Sequence, residues 1–536
     1  MTLKQPPALW LILLFGIMLW GGEYALRHLW EPDEARYAYI ATEMQAQGVW
    51  SYLTRHGEWY TDKPPLMFWL MRGGSTLTGG TINGISARLP SLLGMVLCLW
   101  AVTRLATRWL GTSAAWRVLF ILPTTYLCWR QGGWGQIDAL LCGLEMMALY
   151  FLFTHDEPPR LWRAFAAYAF MGLAILAKGP VGVIIPIGAY LCARWAAGEQ
   201  SMLRRRHWIW GPLVALLFPA AWLLAAWLAK APDDYFRELL FDQSIKRVAG
   251  GTAGHRNPFF YYLLYFPLEF MPWTLLLPAA FLARTLSKAH RRLLGWFAFV
   301  LVFFSIVTDK RPLYIMLCWP AAAMFLAANW ETTHLRALRW RRMGGLIMAG
   351  LLIFAATALI SLCFSKPFAA WLPFSPFLFL PMGILALAGG MALARQASGS
   401  MNHPDGRALF IAFLAAILSL ELYTALVILP ALNPAKTPVA LAAAAEQKLA
   451  PGQPLLIYAI KGEILAFYCR RPGRNAYDLR QLFDAMSDQK QGIAVMDAKA
   501  WPGVRAVYRN HYVAHPFAMG NKHLLWIEFD TTRGGP

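Results

Sequence analysis

Two short polar clusters stand out near the start of this chain because the sequence around them is oily. Asp33, Glu34 and Arg36 follow directly on one apolar run, and Asp62, Lys63, Pro64 and Pro65 stand directly before apolar sequence resumes. A carboxylate with a guanidinium one turn further on can accept a proton from an attacking group or orient it. A lysine ahead of two prolines is kept out of the helical region, projects from a stiff corner, and can hold an anion such as the phosphate of a lipid carrier. A new helix is then expected to start at Pro64 or Pro65. Each residue also has a plainer reading. Asp33 can be the N-cap of the helix-compatible stretch that follows, Arg36 and Tyr37 lie on the Asp33 side of that helix with Glu43 two turns below, and Lys63 can pair with Asp62.

The elements that must position these clusters are membrane helices. The 536 residues are 58% hydrophobic and only 15% charged, with 25 Trp, and apolar runs long enough to cross a bilayer recur from end to end. Thirteen are expected: 8–26, 88–103, 117–129, 136–153, 163–177, 180–193, 208–229, 259–283, 293–308, 312–329, 344–364, 374–394 and 408–429, with the third, fifth and sixth short. The first is read as a retained helix and not as a signal peptide, since Glu23 lies near its far end and no small-residue cleavage pattern precedes His28. The net charge of +20 belongs to short loops, such as those holding Arg104, Arg108 and Arg117, Arg204 to Arg206, and Arg339 to Arg342. By the positive-inside rule these loops face the cytoplasm, as does the N-terminus. That explanation leaves nucleic-acid binding without support. The Trp30 to Trp69 stretch, residues 230–258, the turn at 308–312 and everything after Leu429 then face outward.

From Pro430 the composition changes. LNPAKTP reads as a linker and AAAAEQKLA as a helix, while PLLIYAI, GIAVM and HLLWIEF read as strands. The expected organisation is a membrane domain over 1–429, with the 29–87 loop carrying the site, and a small α/β domain over 430–536. Cys469 is the only cysteine of the latter, so no internal disulfide is expected there, and the other six cysteines read as packing residues within apolar segments. No CxxC occurs, and the His511 and His515 pair falls in a strand and loop region. No particular cofactor is indicated, and a divalent metal stays open, although no clear ligand motif is present.

Asp138, Lys178 and Glu269 interrupt or end apolar segments, where an ionisable group is costly and usually faces a cavity or a partner. His255 and Arg256, and Asp309, Lys310, Arg311 and Tyr314, fall at outward ends of two further segments. An anionic headgroup site would need such cations to converge.

Five motifs in order carry a resemblance: Asp33-Glu34-Ala35-Arg36-Tyr37 with Glu43-Met44; Asp62-Lys63-Pro64-Pro65; Ala177-Lys178-Gly179; His255 to Trp273; and Lys310 to Ile315. Together they resemble the lipid A aminoarabinose transferase branch of the polyprenyl-phosphate-sugar glycosyltransferases, relatives of the protein mannosyltransferases. The likeness runs from the first helix to about Trp330. It implies a GT-C type, mainly α, polytopic inner-membrane protein with about thirteen transmembrane helices and a small periplasmic α/β domain. It further implies transfer of a sugar, such as 4-amino-4-deoxy-L-arabinose, from undecaprenyl phosphate to a lipid A phosphate. Asp33 matches the family's catalytic aspartate, with Glu34 beside it as a second catalytic candidate. Arg36, Lys63, Lys178, Arg256, Lys310 and Tyr314 match carrier-phosphate positions, supported by Tyr37, Asp62 and His255. Glu34 or Asp62 would serve as counter-ion for a sugar amine.

The chain has Asp62-Lys63-Pro64 where the arabinosyl branch often has Glu-Lys-Pro, and Lys310-Arg311-Pro312-Leu313-Tyr314 where it has Lys-Leu-Pro-Thr-Tyr, so the sugar stays open. A protein or other glycan as acceptor is the nearer alternative. A lipid or sugar transporter is the more distant one, predicting mid-membrane charges and an internal repeat; no repeat is evident. No P-loop pattern occurs, so ATP-driven action is unsupported.

Overall fold

The computed structural model describes residues 5–155, 160–199, 207–239, 257–283, 286–399, 405–508 and 510–534, and it divides into two compact units. The first comprises Met1–Leu26, Thr61–Met67 and Arg88–Ile428. All thirteen apolar stretches fall on helix. Among the described residues nine are single helices long and apolar enough to cross a membrane, from Leu9–Leu26 to Arg407–Ala431, one is a pair, Tyr261–Glu269 and Trp273–Leu282, bent by 100°, and three are shorter. The chain is thus a mainly helical, multi-pass membrane protein.

The short helices are Thr112–Ile121, Val181–Ala196 and Cys318–Ala328. The third and sixth stretches were expected to be short, but the fifth is a full helix, Leu161–Lys178, of 18 residues. The tenth is the short one instead. Pro312 opens a 3-10 turn, Pro312–Ile315, and the helix proper begins only at Cys318, because proline fits the first turn and cannot continue a helix behind it.

Two kinds of surface distinguish these helices. Ile137–His155 is buried around nearly its whole circumference, and it lies so close to Gly84–Leu110 that a Cβ added at Gly143 would meet the Gly94 carbonyl oxygen at 2.1 Å. Small residues are what allow membrane helices to approach in this way. His207–Leu228 and Leu335–Cys363 instead expose Ile209, Leu217, Trp227 and Phe354, apolar faces suited to lipid. At the bend of the paired helices the Tyr126 N–H donates to the Met271 carbonyl at 2.8 Å and Trp273 Nε1 donates to Thr124 Oγ1 at 3.0 Å. Backbone and indole groups at the break are thereby satisfied within the protein, as a water-free environment requires.

The second unit comprises Arg27–Tyr60, Phe68–Ala87 and Leu429–Pro536. Its opening part has a helix, Glu34–Gln47, and a hairpin of β1, Thr54–Arg55, with β2, Glu58–Trp59. The hairpin turns at His56 and Gly57, both at positive φ (56° and 78°), as two-residue hairpins prefer. The later part is a five-stranded sheet of β3, Leu455–Tyr458, β4, Gly473–Ala476, β5, Gln491–Asp497, β6, Asn510–Met519, and β7, Lys522–Gly534, in the order β4-β3-β5-β7-β6. The β3 strand pairs parallel with β4 and β5, and β7 pairs antiparallel with β5 and β6. Leu456, Ala494, Met496, Ile527 and Phe529 from the central strands pack with Leu482 and Met486 of the helix Leu479–Gln489. The three strands expected from the sequence are the three central ones. The two that escaped, β4 and β6, are the edges, where Arg474, Asn475 and Pro516 are tolerated because one side needs no partner.

Candidate active site

The site begins with a turn that folds back on itself within the second unit. Arg27 Nη1 and Nη2 donate to the two oxygens of Glu34 at 2.6 and 2.8 Å, and both side chains are fully buried. Glu34 Oε2 also accepts the Trp30 N–H at 3.1 Å, and the guanidinium lies 4.8 Å from the Trp30 ring. A bidentate pair seven residues apart closes the segment into a loop. Glu34, expected as a second catalytic carboxylate, therefore has both oxygens engaged inside that loop.

Asp33 is treated differently. It occupies the N-cap position of Glu34–Gln47, yet its side chain makes no capping bond. Its Oδ1 accepts from Arg36 Nη2 at 2.5 Å, with side chains 12% and 22% exposed respectively. The carboxylate is thus held against a residue one helical turn on. Burial works against the Arg36 charge, but Tyr60, Tyr37 and Asp33 outweigh it and hold the guanidinium above its ordinary value. Its buried Nε has no acceptor among the described residues. Tyr37 packs edge-on against Phe68 with ring centroids 5.6 Å apart, and the Arg36 guanidinium lies 5.2 Å from its ring.

Further along the same helix, Tyr39 Oη donates to Glu43 Oε1 at 2.7 Å, Thr54 Oγ1 donates to Glu43 Oε2 at 3.0 Å, and the Gly473 N–H reaches Tyr39 Oη at 3.3 Å. The His56 ring lies 4.7 Å from Tyr39, and a Cβ at Gly473 would lie 2.4 Å from His56 Nδ1, so only glycine leaves room for it. Burial pushes His56 below its ordinary value against the opposing pull of Glu463 and Glu43, with Arg55 acting in the same sense as burial. Glu43, two turns below Arg36 on the helix, is turned to Tyr39 and Thr54.

The first unit holds its own cluster. Lys178, the last residue of Leu161–Lys178, pairs with Asp138 of the first turn of Ile137–His155, and its ammonium lies 4.4 Å from the centroid of the Tyr314 ring, a cation–π distance. Tyr314 Oη donates to Asp309 Oδ2 at 3.2 Å. Lys178 and Tyr314 are therefore brought together, and Asp138, an intramembrane charge with no expected site role, is the ion-pair partner of Lys178. Lys310 is turned elsewhere: nearly fully buried, its ammonium donates to the carbonyls of Val307 and Asn257 at 2.5 and 3.0 Å. Glu269 lies 3.5 Å from Arg130. Asp62 and Lys63 are half-buried in the bend ahead of the helix Leu66–Ser75, which starts one residue past the second proline. His255 and Arg256 lie outside the described residues.

His511 and His515, expected in a strand and loop region, both lie in the strand β6, and His515 stacks on Trp526 at 3.9 Å and bonds Glu528 at 2.8 Å. The linker reading of LNPAKTP also needs correction. Asn433–Lys436 is a short helix, with Asn433 and Thr437 buried, because these side chains bond to residues 28 and 30 of the same unit.

Residues 62–225 match the family described as dolichyl-phosphate-mannose-protein mannosyltransferase. The chain is 31% identical over 315 residues to an undecaprenyl phosphate-alpha-4-amino-4-deoxy-L-arabinose arabinosyl transferase of Edwardsiella ictaluri, covering 56% of this chain and 55% of the relative. It is 30% identical over 367 residues to the protein of the same name from Shewanella sediminis, covering 65% and 64%. The chain thus spans between about half and two thirds of the length of these curated relatives. In fold it is similar to ArnT from Cupriavidus metallidurans, whose crystal structure has undecaprenyl phosphate bound, with a TM-score of 0.76 over 98% of each chain at 20% identity. In sequence the chain is similar to these arabinosyl transferases over more than half of its length, and in fold to ArnT over nearly all of it.

Proposed function

We propose that this protein transfers a sugar, with 4-amino-4-deoxy-L-arabinose the leading candidate, from undecaprenyl phosphate to a lipid A phosphate at the outer face of a bacterial inner membrane. The observation that carries the reading is the Asp33 carboxylate, placed at a helix head without capping it and held instead against Arg36. The names of the curated relatives supply the donor, and the ArnT-like fold supplies the frame. In this reading residues 1–429 are the transferase domain, the 29–87 loop is periplasmic, and residues 430–536 lie on the same side.

The reaction is a substitution at the anomeric carbon. An acceptor oxygen forms the new bond while the bond from that carbon to the phosphate oxygen of the carrier breaks, and the electron pair leaves with undecaprenyl phosphate. Cations near the departing phosphate lower the cost of its growing charge. Lys178 with Tyr314, and Lys63, take that part. A lipid A phosphate, whose second pKa is about 6 like other phosphomonoesters, is largely ionised at neutral pH, so Asp33 orients the acceptor and stabilises positive charge on the sugar. With a hydroxyl acceptor Asp33 would receive its proton. Arg36 fixes the carboxylate. Glu34 and Lys310, occupied by Arg27 and by two carbonyls, are read as structural and not as reacting or phosphate-binding groups.

A protein acceptor is the second reading, favoured by the family matched over residues 62–225. Mass spectrometry of lipid A from cells with and without the gene decides between them. A gene-dependent amino-sugar adduct is expected; an unchanged lipid A profile with altered periplasmic glycoproteins would replace the first reading by the second.

A further inference from the structure

The residues that lead into the Asp33 turn are held by groups from the far end of the chain. Tyr468 Oη accepts the Leu29 N–H at 2.9 Å and donates to the Leu29 carbonyl at 3.0 Å, so one hydroxyl serves both backbone groups of a buried residue. Asn433 Oδ1 accepts the His28 N–H at 2.9 Å and Trp30 Nε1–H at 3.3 Å. Thr437 Oγ1 lies 3.2 Å from His28 Nδ1, and Lys522 pairs with Glu31. Residues 28 to 31 are therefore each attached to the C-terminal part, and Asp33 stands two residues beyond.

Buried backbone groups outside regular structure need partners, but a sheet edge or the loop itself commonly provides them. Here they come from side-chain oxygens on two separate helices, Asn433–Lys436 and Glu463–Cys469, which serve the backbone of residues 28 and 29, with the Trp30 indole held by the same Asn433. Arg27 and Glu34 close the turn from within, while Asn433 and Tyr468 fix where the closed turn sits in its unit. A turn with both restraints has little freedom to swing its next side chain.

We infer that the C-terminal part is a positioning element for the chemistry at Asp33, with Tyr468 and Asn433 as its positioning residues. The inference rests on the reading of Asp33 as the reacting carboxylate. Productive geometry tolerates displacements of well under an ångström, and a misplacement of about 1 Å costs on the order of 10²-fold in rate. A C-terminal part that merely docked the acceptor would govern acceptor KM; one that sets Asp33 governs kcat.

The test uses the full chain in lipid nanodiscs, with undecaprenyl phosphate-linked aminoarabinose and lipid A as probes. Tyr468→Phe removes one hydroxyl and Asn433→Leu one acceptor, whereas Asn433→Asp keeps the accepting oxygen. Tyr468→Phe and Asn433→Leu are expected to raise amide exchange across residues 28–36 and to lower kcat by about tenfold to 10²-fold, with both KM values within about twofold and melting still cooperative. Asn433→Asp is expected to recover most of what Asn433→Leu loses. Unchanged exchange overturns the inference, as does raised exchange with wild-type kcat, or a loss confined to acceptor KM. Transfer surviving in Asp33→Asn would instead sink the reading of Asp33 itself, and the catalytic role of the clamp with it.

Discussion

Asp33 and Glu34 stand side by side at the head of one helix, yet the turn gives Glu34 a fully buried, two-bonded arginine and leaves Asp33 a partly open contact with Arg36. The same division recurs in the other unit, where Lys310 is closed off by two carbonyls and Lys178 remains between Asp138 and the face of Tyr314. Groups of one charge are thus sorted by burial: Glu34 and Lys310 are enclosed and brace the backbone, while Asp33 and Lys178 pair with an oppositely charged side chain at partly exposed positions. Ionised groups inside proteins are costly unless paired, and all four have partners; Glu34 and Lys310 differ in being the more deeply enclosed.

Four experiments can break or sharpen this division. The largest effect belongs to Asp33→Asn, which should slow transfer by about 10²–10⁴-fold, the usual contribution of a positioned acid or base. Its stability should change by less than about 1 kcal/mol, since a partly exposed pair contributes little. Near-normal turnover would return Asp33 to the plain role of a helix-head residue. Arg27→Ala and Glu34→Ala should show the reverse emphasis, each losing about 3–5 kcal/mol of stability because a buried charge is left without its partner; wild-type melting in either variant would remove the brace.

The third experiment moves to the lysines. Lys178→Ala and Lys63→Ala should each weaken undecaprenyl phosphate binding by about tenfold or more, in line with ~1.5–3 kcal/mol for a charge-assisted hydrogen bond, while Lys310→Ala should lower melting and spare affinity. Equal binding losses in all three would erase the distinction between enclosed and open cations.

The smallest effect concerns His56. Because burial holds its pKa down in the fold, the unfolded chain takes up that proton first as the pH drops below about 6.5. The contribution of the neutral ring is intact above that value and is lost as the pH falls from it toward the lower folded value. His56→Asn, a replacement that tolerates the left-handed backbone, should flatten the melting temperature between about pH 7.5 and 5.5; an unchanged slope would assign the acid sensitivity to other groups.

Much of this molecule could be read from residue order alone, and the exceptions share a cause. Helix positions followed from apolar run length, and Asp33, Lys178 and Tyr314 drew notice as polar groups beside oily sequence. The central strands β3, β5 and β7 carried enough Leu, Ile and Val to be seen, unlike the polar edges β4 and β6. What stayed hidden was pairing at a distance. Arg27 looks like any arginine at the end of an apolar segment until the chain doubles back to Glu34, and no local pattern could signal that Lys310 turns toward Val307 and Asn257. Asn433 read as part of a linker because its partners lie 405 and 403 residues away.

Those separations have a consequence for how the protein is made. Leu29 leaves the ribosome early, while Tyr468 follows 439 residues later. Until that hydroxyl and Asn433 have been synthesised and delivered to the same side of the membrane, the turn ahead of Asp33 lacks its outer restraints. A nascent or truncated chain can thread its helices without the outer restraints of this turn, which are complete only when the last fifth of the protein is in place.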